Sequence, residues 1–189
     1  MALINRAPNR AVIDALDIQP DDRMLEIGCG PGDAVRMALS CAPSGHIYGL
    51  DRSAVMIGQA RRRNARASAA GRADFVVASF DQVPLPDGQL DKVLGINVVY
   101  FWDNAGAVLD ELHRLLCPGG ILALYATSRS TMANWKFARA DTHRLFDAAE
   151  LAAILKESPF AADRISVTPV ALPLGIKGLV ALAQTSARL

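Results

Sequence analysis

Met24-Leu25-Glu26-Ile27-Gly28-Cys29-Gly30-Pro31-Gly32-Asp33 is the stretch that decides how the chain is organised. A short apolar run broken by Glu26 ends in alternating glycines, and a helical pattern follows. This predicts a buried strand, a tight turn and a helix from about Asp33 to Cys41. Gly28 can take the turn, Gly30 lets the backbone approach a ligand, and Gly32 lets the helix start close to the strand. That helix would present free N–H groups and a positive dipole end to whatever lies over the turn. The spacing is G-x-G-x-G rather than the longer G-x-G-x-x-G, and Asp33 in the first helical turn would repel a pyrophosphate. The expected ligand carries no phosphate at that point.

Asp51 sharpens this reading. It ends the next strand pattern, His46-Ile47-Tyr48-Gly49-Leu50, and lies 19 residues after Gly32. In a strand-helix-strand unit a carboxylate there can accept hydrogen bonds from ribose hydroxyls. A glycine turn alone is common; strand, three glycines, helix, strand and terminal acid together point to a nucleoside-type ligand.

At this point the residues carry a resemblance. Glu26-Ile27-Gly28-Cys29-Gly30-Pro31-Gly32, Gly49-Leu50-Asp51, Val83-Pro84-Leu85-Pro86-Asp87-Gly88 and Leu116-Cys117-Pro118-Gly119-Gly120 resemble, in order and spacing, the class I S-adenosylmethionine (SAM)-dependent methyltransferases. The likeness is greatest to the small-molecule branch that includes quinone-biosynthesis enzymes. It implies an α/β fold: a doubly wound, mostly parallel seven-stranded sheet of order 3-2-1-4-5-7-6, strand 7 antiparallel, with helices on both faces. It also implies SAM as cofactor and S-adenosylhomocysteine (SAH) as product. The cofactor contacts implied are Glu26, Gly28, Cys29, Gly30, Gly32, Asp51, Arg52, Met56, Ser79, Phe80 and Asn97. Related enzymes usually place an acid where Ser79 stands, so the adenine amino group would meet a hydroxyl without charge assistance, unless Asp81 rotates in.

The bulk numbers agree with one compact enzyme domain spanning 1–189. A chain of 189 residues, 51% hydrophobic and 21% charged, is long enough to bury a substantial core. A net charge of +1 gives no general attraction to nucleic acid or anionic membrane. Without a leader or a membrane-spanning apolar run, a cytoplasmic location is expected. Cys29, Cys41 and Cys117 are widely spaced and suggest neither a disulfide framework nor a metal site. Cys29, inside the turn, either fits there as a small side chain or is exposed to thiol reagents.

Residues 8–18 read as a short amphipathic helix with Val12, Ile13 and Leu16 inward. The segment before it is short for a substrate-covering cap, leaving the pocket open or completed by a partner, a second copy in a homodimer included. Ser53 can cap a helix to about Ala70; Met56 near its start can pack on adenine or simply in the helix interface. Arg61, Arg62, Arg63 and Arg66 read as a solvated face. Strands are expected over 74–78 and 90–97.

Asn97-Val98-Val99-Tyr100-Phe101-Trp102 leaves the carboxyl end of strand four, where open α/β sheets bind ligands. Its aromatics can line an acceptor pocket, Tyr100 first, or tuck the next helix down. The run is not the Asn/Asp-Pro-Pro-Tyr signature of amino-methylating enzymes, so a nucleobase target loses ground. Asp103 can cap a helix to about Leu116 with Val108, Leu109, Leu112 and Leu115 buried, and His113 off that stripe. Residues 127–146 lack periodicity and mix polar, aromatic and charged side chains, which fits a lid or acceptor-binding segment containing Trp135. His143 is placed to act as a base, and Tyr100 is the other candidate. Asp147 to Glu150 resembles a capping box, and two last strands, 163–171 and 178–184, form a hairpin. The substrate-lining candidates are therefore Tyr100, Phe101, Trp102 and Trp135. Two other functions stay open: a non-catalytic SAM- or SAH-binding protein or partner subunit, and an NAD(P)-dependent oxidoreductase.

Overall fold

The computed structural model describes residues 2–133, 135 and 144–187, the first four of them by backbone alone. The elements run α1 (Ala2–Ala15), β1 (Arg23–Ile27), α2 (Asp33–Cys41), β2 (His46–Asp51), α3 (Ala54–Arg63), α4 (Ala65–Ala69), β3 (Ala73–Val77) and β4 (Leu90–Ile96). Then follow α5 (Ala105–Leu115), β5 (Leu116–Thr127), α6 (Arg129–Met132), α7 (Ala148–Lys156), β6 (Ile165–Leu172) and β7 (Ile176–Gln184). One seven-stranded sheet has the order β3-β2-β1-β4-β5-β7-β6. Only β7 runs against its neighbours. This is the expected topology.

Alternation along β1 sorts the two cores. Leu25 and Ile27 pack with Val108, Leu109, Leu112 and Leu115 of α5 and Leu151 and Leu155 of α7. Met24 packs on the other face with Val12 and Ile13 of α1, with Leu16 just after it, and with Ala34, Val35 and Ala38 of α2. Period two thus leaves Glu26 on the α1/α2 face beside the start of α2. The parallel pairings of β1 with β2 and β4 bring the ends of all three strands to one edge, with Ile27 level with Leu50 and Gly95.

Three boundaries and one side chain differ from the expectation in ways that bear on the packing. Helix α1 starts at Ala2, and Pro8, which reads as a start, lies inside it. The expected helix from Ser53 to Ala70 breaks at Asn64, whose φ of −110° and ψ of 20° leave the helical region. Asn104 caps α5 instead of Asp103: its extended backbone lets its Oδ1 accept the Ala107 amide at 3.1 Å. His113, off the buried stripe of α5, is half-buried, its ring centroid 5.1 Å from that of Phe160 in a T-shaped contact, so it packs where the pattern gives a surface position. The Ser53 cap and the Asp147–Glu150 capping box are both present.

Candidate active site

The glycine turn carries β1 into α2 with left-handed backbone at Gly28 (φ 63°), Gly30 (51°) and Gly32 (79°). Their reasons differ. A Cβ on Gly28 would lie 2.3 Å from Val98 Cγ1, so Gly28 allows the turn to pack on the segment after β4. A Cβ on Gly30 meets nothing within 4 Å, so a ligand can approach this backbone from open space. At Gly32 the obstacle is Asn64 Nδ2, 2.5 Å from the Cβ position. The last glycine thus admits the end of α3, where the sequence suggested contact with the strand.

Asp51 ties the turn to the end of β2. Its Oδ2 accepts the Gly30 amide at 2.9 Å and its Oδ1 the Ser53 amide at 2.8 Å. Each oxygen keeps a lone pair for an outside hydroxyl. Arg52 is exposed, and its charge helps lower the Asp81 carboxyl. Met56 is half-buried in the first turn of α3, its amide on the Ser53 hydroxyl at 3.3 Å.

Glu26 is buried beneath this turn. Burial pushes its carboxyl well above the ordinary range, Asp33 and Asp51 add to the rise, and the Val35 amide opposes it. Its Oε2 has no hydrogen-bond partner among the described residues. A buried acid left half-satisfied is expensive unless something completes it. Cys29 is buried too, its thiol pushed up chiefly by burial, and its amide donates to Leu50 O at 2.9 Å. The sulfur therefore has the character of packing. Asp33 contacts Arg63 Nη1 at 3.0 and 2.8 Å, so the charge expected to repel a phosphate is largely offset. The spacing argument against a dinucleotide stands without it.

Beyond β3, the Ser79 hydroxyl donates to Asp81 Oδ1. That bond and nearby backbone lower the Asp81 carboxyl. A carboxylate is therefore coupled to the position that lacks one. Phe80 is buried, its ring tip 3.7 Å from the Gly28 Cβ position, so its ring braces the turn from inside.

Asn97, at φ 55°, closes the end of β4 onto β5. Its Oδ1 accepts the Thr127 amide at 3.0 Å, the Thr127 hydroxyl at 3.1 Å and the Tyr100 hydroxyl at 3.0 Å. Tyr100 is buried, its single O–H is shared between Asn97 Oδ1 and Thr127 O, the latter at 2.9 Å, and its phenol is pushed up by burial. A phenol so placed joins two strand ends and is a poor base. Trp102 is buried with its indole Nε1 unpartnered, whereas Phe101 is half-exposed. Of the three aromatics, two tuck inward and one faces out. Trp135 is half-buried against the core that holds Tyr100 and Phe146. His143 lies outside the described residues.

Four contributors were not legible beforehand. Asn64 is buried and donates to Gly32 O at 3.1 Å and to Ala60 O at 3.0 Å. Arg61 and Arg63, read as solvated, hold Phe75 O at 2.7 Å and Asp33. Arg114 holds Val83 O at 3.2 Å, Leu85 O at 3.0 Å, Glu111 and Asp87, fixing the loop after Phe80 onto α5. The one signal was Asn64 itself, a poor helix former inside a helical run.

A strand-ending acid, a glycine turn open at its centre and a buried carboxyl thus meet at the carboxyl ends of β1 and β2. A family model described as "Methyltransferase domain" matches residues 25–124. The chain is 30% identical over 134 residues to the uncharacterized methyltransferase YdaC of Bacillus subtilis, covering 71% of this chain and 72% of that protein. It is 34% identical over 120 residues to an uncharacterized 37.1 kDa protein in transposon TN4556 of Streptomyces fradiae, covering 63% of this chain. It is 31% identical over 123 residues to the demethylmenaquinone methyltransferase of Geobacillus kaustophilus, covering 64%. It spans 34% of the Streptomyces protein and 52% of the Geobacillus enzyme. In structure it resembles geranyl diphosphate C-methyltransferase from Streptomyces coelicolor A3(2), solved with SAH, at a TM-score of 0.76 and 16% identity, covering 97% of this chain and 81% of that one. The chain belongs to the SAM-dependent methyltransferases.

Proposed function

We propose that this chain, acting as a single domain in the cytoplasm, moves a methyl group from SAM to a small-molecule acceptor. The observation that carries this reading is the pairing of the open Gly30 backbone with Asp51 and the unsatisfied Glu26 carboxyl. SAM fits that set: ribose hydroxyls for Asp51, a cationic portion for the acid beneath the turn, and adenine between Met56 and the Ser79–Asp81 pair. Bound there, SAM supplies a methyl group on a positively charged sulfur, so the chain needs no covalent intermediate.

The chain's own task is alignment. Holding a nucleophile in line can supply roughly 7 to 11 kcal/mol of the barrier. Phe101 and Trp135 flank the edge where β4 and β5 end, and they favour an apolar, flat acceptor. Quinone-like acceptors suit this edge, in keeping with the demethylmenaquinone methyltransferase among the relatives. Tyr100 works here as a brace. If the acceptor must lose a proton, His143 is the proposed base. No described helix is long and apolar enough to cross a membrane.

Incubation of the purified chain with methyl-labelled SAM and a panel of phenols, quinols, amines and thiols tests the proposal. Label transfer with SAH release is expected for at least one aromatic acceptor. Tight SAM binding with no transfer to any class would move the reading to a SAM-binding partner subunit.

A further inference from the structure

Asn64 has no place in the chemistry above, yet it is buried where α3 meets α4 and reaches back to the cofactor turn. Two carbonyls face its side chain, Gly32 O at 3.1 Å and Ala60 O at 3.0 Å, so its Nδ2 must be the atom between them. Its Oδ1 is then left buried without a partner among the described residues. A residue kept for packing alone would avoid that penalty.

What Asn64 holds is informative. Gly32 O and the Asp33 N–H belong to one planar peptide unit and point to opposite sides. Drawing Gly32 O toward α3 aims the Asp33 N–H away from it, and this amide is among the first in α2 without an intrahelical partner. The Gly32 amide is held as well, on Cys29 O at 2.9 Å. The neighbouring Arg63 grips the Asp33 side chain from the same helix end. The opposite end of α3 carries Ser53 and Met56, on the adenine side of the site. One helix therefore braces both halves of the cofactor cradle.

We propose that Asn64 is a positioning residue for cofactor binding: its carboxamide fixes the Gly32–Asp33 peptide plane, and with it the set of amides the turn offers, without touching the ligand. This rests on the SAM-binding reading above. Asn64→Ala removes this donor and leaves Gly32 O, among the described residues, to the Arg36 amide at 3.3 Å alone; Asn64→Asp turns an acceptor toward two carbonyls beside Asp33. Leu112→Val, on the buried side of α5 in the opposite core, serves as a matched loss of stability.

SAH titration of the purified full chain, with thermal unfolding of each variant, decides. Asn64→Ala is expected to weaken SAH binding about tenfold or more, the size of one well-placed hydrogen bond, and Asn64→Asp to weaken it further. Leu112→Val should lower the unfolding temperature and leave the affinity unchanged. Asn64→Ala binding SAH as tightly as the unmodified chain would overturn the proposal, even if Asn64→Asp does not fold. Equal weakening by Leu112→Val would overturn it as well, because the effect would then be one of stability. An unmodified chain that fails to bind SAH would instead remove the cofactor reading on which this inference rests.

Discussion

The proposed cofactor side of the site, at β1 and β2, and the proposed acceptor side, at β4 and β5, are built from different materials. Around β1 and β2 the working groups are backbone amides, glycine conformations and one carboxylate that engages them. At the ends of β4 and β5 they are side chains, Asn97, Tyr100, Thr127 and Phe101, whose direction depends on packing. Backbone groups are fixed by the fold, whereas side chains can change without disturbing the sheet.

Replacing the turn's glycines gives the largest expected effects and separates packing from binding. Gly28→Ala forces a methyl group into Val98 on a left-handed backbone. It should lose about 2–5 kcal/mol in denaturant unfolding, the sum of overpacking and conformational strain. Gly30→Ala meets no neighbour, so its stability loss should stay near 1–2 kcal/mol while SAH binding disappears. Normal SAH binding by Gly30→Ala would show that the open side of the turn is not the site.

Glu26 makes the cofactor end sensitive to pH. Its raised carboxyl favours the protonated form in the free protein, so its contribution to stability is full below the ordinary carboxylate range and is lost as pH rises through the raised value. A cationic ligand favours the ionised form, so SAM affinity should rise with pH across that same window and binding should release a proton. Glu26→Gln should flatten both dependences, which titration calorimetry in buffers of different ionisation heat would measure. SAM binding that weakens with rising pH over this window would contradict the assignment.

At the acceptor end, Tyr100→Phe removes the hydroxyl that bridges Asn97 and Thr127. About 1 kcal/mol of stability should go, with SAH affinity nearly unchanged and turnover reduced by less than about tenfold. A loss of 10²–10⁴ in turnover would be the signature of a general base, and the brace assignment would fail.

The same contrast governs how much could be read beforehand. Strand, glycine turn, helix and terminal acid are local features, and α2 begins and ends where the sequence places it, at Asp33 and Cys41. The sheet order followed from the family resemblance and is the one found. Tyr100, Phe101 and Trp102 are alike in pattern, and only the packed chain decides that Phe101 faces outward. Asn64 and Arg63 lie in a basic helical run typical of a solvated face; their roles arise because α3 returns to the start of α2, thirty or more positions away in the chain. Asn104 displaced Asp103 as a cap through a difference of one residue in backbone conformation.

The measurement that bears most directly on the central claim is calorimetric titration of the purified chain with SAM, SAH and NAD, beside Asp51→Ala. The account predicts micromolar binding of both sulfur ligands, none of NAD, and loss of SAM and SAH binding in the variant. Binding of NAD in their place, or SAH affinity unaffected by Asp51→Ala, would contradict it.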